Sequence, residues 1–256
     1  VKKSVILSAW PAVLIGALVL ASCQYSHLPI EDRPFSNNHG ADIQPPPPLP
    51  DTPEVPPVGT DPAFADLESL TVRDFDPEAP RYDRALFGQR WSDDVTVGGG
   101  HNGCDTRNDI LARDLEEVRY KPGTRDCVVI SGHFTDPYTG QHHTFQRGQG
   151  TSDLVPIDHV VALGDAWYAG AWTWDENKRR DFANDPINLQ TTLREANNSK
   201  LAQTAATWLP PNNSYHCEYA RRQVEIKKVY GLAITNAEKN ALATALSTCA
   251  PPTQVQ

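Results

Sequence analysis

The sequence predicts an α+β domain, a small mixed or antiparallel sheet flanked by helices, and three observations carry that expectation. Residues 127–134 and 142–145 read as two strands joined by the turn residues Asp136-Pro137-Tyr138-Thr139-Gly140. Residues 154–163 and 187–193 are two further strand-like runs, about thirty residues apart. Helix-compatible spacing of apolar residues recurs at 107–118, 215–230 and 236–248.

The chain opens with Lys2-Lys3 before an apolar run at 5–21, which ends in Leu20-Ala21-Ser22-Cys23. A basic start, a modest apolar stretch and small residues at its end are the parts of a secretory signal. The ending looks like a bacterial lipobox, in which Cys23 becomes a lipidated first residue that anchors the protein to a membrane. A plain membrane anchor is the alternative, although the run is near the lower length limit for a span. Residues 24–60 hold Pro45 to Pro48, Pro50, Pro53, Pro56 and Pro57. That composition favours extended polyproline conformation, so the segment is expected to be a spacer between the signal at 1–23 and a folded domain at 61–256.

Five cysteines are present. Apart from Cys23 they are Cys104, Cys127, Cys217 and Cys249, an even number in a chain that reads as exported, where disulfides persist. Three pairings are open; Cys104 with Cys127 and Cys217 with Cys249 is favoured because each pair flanks one local unit. Zinc at His101, Cys104 and Cys127 is the competing idea, and it lacks the paired short spacing of structural zinc sites. The net charge of −9 argues against a strongly basic binder of nucleic acid. Residues 61–157 hold 17 acidic and 10 basic side chains, whereas 158–228 hold nine of each, so the excess acid lies away from the second half.

Residues 80–87 fit a short helix or an extended entry, and Gly98-Gly99-Gly100 a flexible turn. Asp105-Thr106-Arg107-Asn108 suits a helix cap better than a substrate contact at Arg107. The 127–145 hairpin is expected to extend the core sheet. His142 and His143, adjacent in a strand, point to opposite faces and cannot chelate one ion. Short helices are expected at 164–171 and 175–183; Lys178-Arg179-Arg180 in the second fits a solvated face or phosphate contacts equally. Trp167, Tyr168, Trp172 and Trp174 read as packing. Thr235, with Glu238 three residues on, is a good N-cap for the last helix.

The chemistry concentrates at 153–211. Asp158-His159 interrupts the apolar run of Leu154 to Ile157 and Val160 to Leu163, and two ionisable groups inside a buried strand need a reason. Asn188-Leu189 opens the second strand, and Asn197-Asn198-Ser199-Lys200 lies on a helical stretch, 195–203, followed by Trp208-Leu209-Pro210-Pro211. In this order and spacing the residues resemble the HNH nuclease superfamily, and most closely the group that includes the C-terminal domain of GmrSD-type restriction enzymes with its secreted bacterial members. The likeness extends upstream through Tyr82, Trp91 and residues 103–108.

The resemblance implies a strand hairpin packed on a helix around one divalent metal ion, Mg²⁺ or else Mn²⁺, and hydrolysis of phosphodiester bonds in DNA, with RNA as a further substrate class. It gives His159 the part of general base, Asn188 that of a structural amide holding the His159 loop, and Asp158 and Asn197 the metal, with Asn198 a rival for Asn197. Lys200 and Arg194 are the expected phosphate contacts. No base-reading motif is apparent, so little sequence preference is expected. The contrasting expectation is an exported, disulfide-stabilised interaction module that keeps the frame without turnover. A zinc peptidase has no His-Glu-x-x-His helix to support it.

Overall fold

The computed structural model describes residues 61–74 and 76–249. Cys23 and residues 24–60 lie outside the described residues. The described residues form a mixed α+β fold of seven α-helices and five short strands. The helices are α1 Pro62–Ser69, α2 Thr106–Asp114, α3 Leu163–Tyr168, α4 Glu176–Asn184, α5 Arg194–Lys200, α6 His216–Tyr230 and α7 Asn236–Leu246. The strands are β1 Glu116–Tyr120, β2 Val129–Thr135, β3 His142–Gln146, β4 Ile157–His159 and β5 Leu189–Thr191.

Two separate antiparallel sheets replace the single core sheet expected from the sequence. Strands β1, β2 and β3 make one, in that order, and β4 pairs only with β5. The 127–145 hairpin therefore does not extend the strand pair that carries Asp158 and His159. The helix expected to reach Val118 ends at Asp114: Leu115 turns extended, and Val118 lies inside β1. The runs at 154–163 and 187–193 also contribute only three strand residues each. A 3-10 turn at Ser152–Leu154 precedes β4, Leu163 opens α3, and Pro186–Asn188 forms another 3-10 turn before β5. Apolar runs of this kind are ambiguous because burial is what they report, and here tertiary burial is met without extended pairing.

Local chemistry sets the helix starts. Asp105 caps α2 by accepting from the Asn108 N–H, Asp175 caps α4 through Lys178, and Thr235 caps α7 through Glu238. Gly231 closes α6 at φ 68°, a left-handed position that costs a glycine little. In the β2–β3 turn, Asp136 accepts from the Tyr138 N–H at 3.2 Å and the Thr139 hydroxyl at 2.7 Å, which fixes the direction of Tyr138. Both disulfides, Cys104–Cys127 and Cys217–Cys249, are formed; the second ties α6 to the end of α7. The first uses two of the three ligands of the zinc alternative.

Three apolar clusters support these elements. One lies between α2, the three-stranded sheet and the β4–β5 pair, and includes Ile110, Leu111, Phe145, Ile157 and Leu189. Another gathers Phe87, Tyr138, Val160, Val161, Trp167, Phe182 and Tyr219, and the third joins α1, α6 and α7. Ile157 belongs to the first and Val160 and Val161 to the second, so the Asp158-His159 step is held from both sides. Trp167 is core, and Arg179 and Arg180 serve packing and surface contacts: the Arg179 Nε donates to the Leu86 carbonyl at 2.7 Å, and Arg180 lies 3.5 Å from Asp94.

Candidate active site

Asp158 and His159 line an open cleft of roughly 720 Å³ together with Arg194, Asn197 and Asn198 of α5. In the antiparallel register Asp158 faces Gln190 and His159 faces Leu189, and α5 begins three residues after β5 ends. The short β4 strand, its β5 partner and α5 are thus what bring these side chains together.

His159 is held in one orientation. Its Nε2 lies 2.9 Å from the carbonyl oxygen of Ala183, which can only accept, so Nε2 carries the proton and Nδ1 keeps a lone pair. Trp91 stacks on the ring with centroids 6.0 Å apart and planes 8° from parallel. Burial, and next the positive charge of Arg84, pull the imidazole pKa down to about 3, so the ring is neutral at ordinary pH.

Asn188 is fully buried and works on the loop after His159. Its side-chain oxygen accepts from the Val161 N–H at 2.8 Å, and its amide nitrogen donates to the Val161 carbonyl at 3.2 Å. Its own carbonyl takes the Val160 N–H at 2.8 Å. Two arginines hold the segment around it: Arg113 donates to the carbonyls of Pro186 and Leu189, and Arg222 to those of Ile187 and Leu189.

Asp158 is nearly fully buried and meets a cation supplied by the chain itself. The Lys200 Nζ lies 3.0 Å from Oδ2 and 3.2 Å from Oδ1, and donates to the His159 carbonyl at 2.7 Å. Tyr138, from the β2–β3 turn, donates its hydroxyl to Oδ2 at 2.8 Å. Burial raises the Asp158 pKa, with Lys200 and Tyr138 opposing it. The expectation that Lys200 contacts a substrate phosphate is corrected here. Lys200 has no exposed surface and its ammonium is committed inside the protein, so its position is a structural one. Arg194, by contrast, is exposed at the cleft and makes no ion pair among the described residues.

A carboxylate offers about four lone-pair positions. At Asp158 the Tyr138 hydroxyl, the two Lys200 contacts and the His159 backbone N–H engage all of them, so a cation there would have to share the carboxylate with Lys200. The Asn197 carboxamide is half-buried at the cleft and has no hydrogen-bond partner among the described residues. One carboxylate and one amide oxygen, completed by water and phosphate, is a donor set of the kind Mg²⁺ accepts, and the neighbouring ammonium makes it a weak one. Asp158 and Asn197 are thus oxygen donors that the cleft offers to a divalent ion, with Lys200 as the competitor for the carboxylate. Asn198 lines the same cleft and is more exposed.

Tyr138 and Gln223 were not among the residues singled out from the sequence. Gln223 donates to the Val160 carbonyl and to the Tyr219 hydroxyl from α6. Neither follows a local pattern, because each meets the site only through tertiary contact.

Residues 105–245 match the model of the C-terminal domain of GmrSD restriction endonucleases. Over 208 residues, 80% of this chain and 92% of the relative, the sequence is 38% identical to an uncharacterized secreted protein of Arthroderma benhamiae (strain ATCC MYA-4681 / CBS 112371). No solved structure matches the chain. The two disulfides and the secreted relative are consistent with export, while nothing in these comparisons supports the lipid anchor expected at Cys23. With more than half of its length matched, the chain belongs to the family of the GmrSD restriction endonuclease C-terminal domain, an HNH-like family of nuclease domains that typically use a divalent metal.

Proposed function

We propose that the chain is an exported endonuclease that hydrolyses phosphodiester bonds of DNA, or of RNA, with His159 as general base and one divalent metal held by Asp158 and Asn197. The observation that carries the reading is the His159 ring. Its Nε2–H is spent on the Ala183 carbonyl, its face is covered by Trp91, and its remaining lone pair belongs to a ring that lines the cleft. A neutral, pre-oriented imidazole can take a proton from an attacking water; with its pKa held down to about 3 by burial and Arg84 it is a weak base in the empty cleft, and an anionic phosphate bound beside it would raise that value.

In the proposed step that water attacks phosphorus as its proton passes to Nδ1 of His159; the bond to the leaving oxygen breaks, and that oxygen is protonated from solvent. The chemistry that Mg²⁺ or Mn²⁺ supplies when bound is neutralisation of the charge that builds on the phosphate and the leaving oxygen. Asn188 keeps the His159 loop in place, and Arg194 offers a guanidinium to a phosphate. Tyr138 and Lys200 orient the Asp158 carboxylate. The inactive-module reading draws on the Lys200–Asp158 pair, which satisfies the carboxylate without a metal.

The test is cleavage of duplex DNA, single-stranded DNA and RNA by the purified protein, with Mg²⁺, with Mn²⁺ and with chelator. His159→Ala should lower the rate by about 10²- to 10⁴-fold and leave substrate binding intact. Asn197→Ala should weaken the response to metal and Asn198→Ala should not. Cleavage by His159→Ala at the wild-type rate defeats the mechanism, and a wild-type protein inert on every substrate favours the inactive module.

A further inference from the structure

The cleft is not built from the family's matched region alone. Tyr82, Arg84, Arg90 and Trp91 also line it, and they precede residue 105, where the match begins. This upstream segment is fastened to the domain along its length. The Trp167 indole donates to the Pro80 carbonyl at 2.7 Å and Phe87 is buried in a core cluster. The Ser92 N–H donates to the Asn184 side chain at 3.0 Å, and the Thr106 hydroxyl to the Ser92 carbonyl at 2.9 Å.

The two arginines of this segment that line the cleft, Arg84 and Arg90, lack the partners that surface arginines usually find. Neither Arg84 nor Arg90 makes an ion pair with a carboxylate among the described residues. The Arg84 Nε is buried with no hydrogen-bond partner, an orphaned donor of a kind rare in folded proteins. Burial and the like charge of Arg90 both work against the Arg84 guanidinium, and Tyr82 is the neighbour that helps it. Arg107, in the same cleft, differs: its guanidinium donates to the carbonyls of Ser152 and Val155, and Asp105 and Asp153 offset its charge. Two cations without a carboxylate partner, carried beside His159 on a segment fastened to the domain, in a protein of net charge −9, are a place made for an anion.

We propose that Arg84 and Arg90 form a phosphate-binding wall of the cleft and take the phosphodiester chain of the substrate, the task the buried Lys200 cannot perform. The inference rests on the nucleic-acid reading of the site, yet it concerns binding rather than hydrolysis.

The experiment measures binding of a short fluorescein-labelled oligonucleotide to the full protein in EDTA across a salt series. Arg84→Gln and Arg90→Gln should each weaken binding about tenfold at low salt and flatten the dependence of log K on log salt by roughly one unit. Arg84→Lys and Arg90→Lys should recover much of that slope, which a fold defect would not allow. Arg90 is exposed, so its variant reports even if Arg84→Gln folds poorly. Wild-type affinity and slope in the Gln variants overturn the proposal, as does a wild type with no measurable binding. If the wild type cleaves and these variants bind normally, the nuclease reading stands and this one fails. If the slope is lost in the variants while the wild type cleaves nothing, the phosphate wall stands and the hydrolytic reading fails.

Discussion

Replacing Lys200 by Met separates a structural lysine from a substrate contact. The methionine is similar in length, so the chief loss is the ammonium. Its removal deletes the contacts at 3.0 and 3.2 Å to Asp158 and the 2.7 Å bond to the His159 carbonyl. Asp158, only 5% exposed, is left with the Tyr138 hydroxyl and the His159 backbone N–H, and with no opposite charge. Breaking a buried ion pair from one side costs about 3–5 kcal/mol because the surviving charge stays desolvated. That lowers the folding equilibrium constant by roughly two to four decades, and of the ordinary range of about 5–15 kcal/mol only a domain above about 7 kcal/mol stays largely folded. Urea unfolding followed by tryptophan fluorescence, with the disulfides intact, reads the loss. The double variant Asp158→Asn/Lys200→Met should be less destabilised than Lys200→Met alone, since no unpaired charge remains. If Lys200→Met is within about 1 kcal/mol of wild type and instead raises KM for an oligonucleotide, the lysine reaches substrate and the argument from burial is wrong.

Three other outcomes are expected. Asn188→Ala strands the Val161 N–H and carbonyl in the interior, at about 1–3 kcal/mol for each buried group, and should lower both urea midpoint and cleavage rate; an unchanged midpoint contradicts the role of the amide. Glu238 shares the buried Lys227 with Asp165, and burial pushes its pKa up to about 7, with Lys227 opposing and Asp165 reinforcing the shift. Because the folded value exceeds the unfolded 4.5, this group's contribution is complete below pH 4.5 and is lost as pH rises through 7. Glu238→Gln should therefore flatten the fall in stability between those pH values, and an unaltered slope refutes the assignment. Removing the Cys217–Cys249 bridge with a double Ser variant should cost about 2–4 kcal/mol in the same urea assay, through release of the unfolded chain.

Residue types and spacing determined much by themselves. Asp105, Asp175 and Thr235 cap helices because a short polar side chain at that position satisfies free N–H groups whatever surrounds it, and Asp136-Pro137-Tyr138-Thr139-Gly140 turns for equally local reasons. The order Asp158-His159, Asn188, Asn197 marked the family, since the residues lie on adjacent short elements and their spacing survives in the chain. Strand extent was not legible: apolar runs at 154–163 and 187–193 report burial, and only the packing of two core clusters on either side of β4 decides that three residues pair. Nor could Lys200 be told from a phosphate contact. Its position in the sequence is compatible with either, and burial against Asp158, 42 residues away, is what decides. Arg84, Arg90 and Trp91 reach the cleft, and Tyr138 the buried Asp158, from far along the chain, so no period or local motif could assign them there. Their placement depends on long-range contacts, which a linear pattern does not encode.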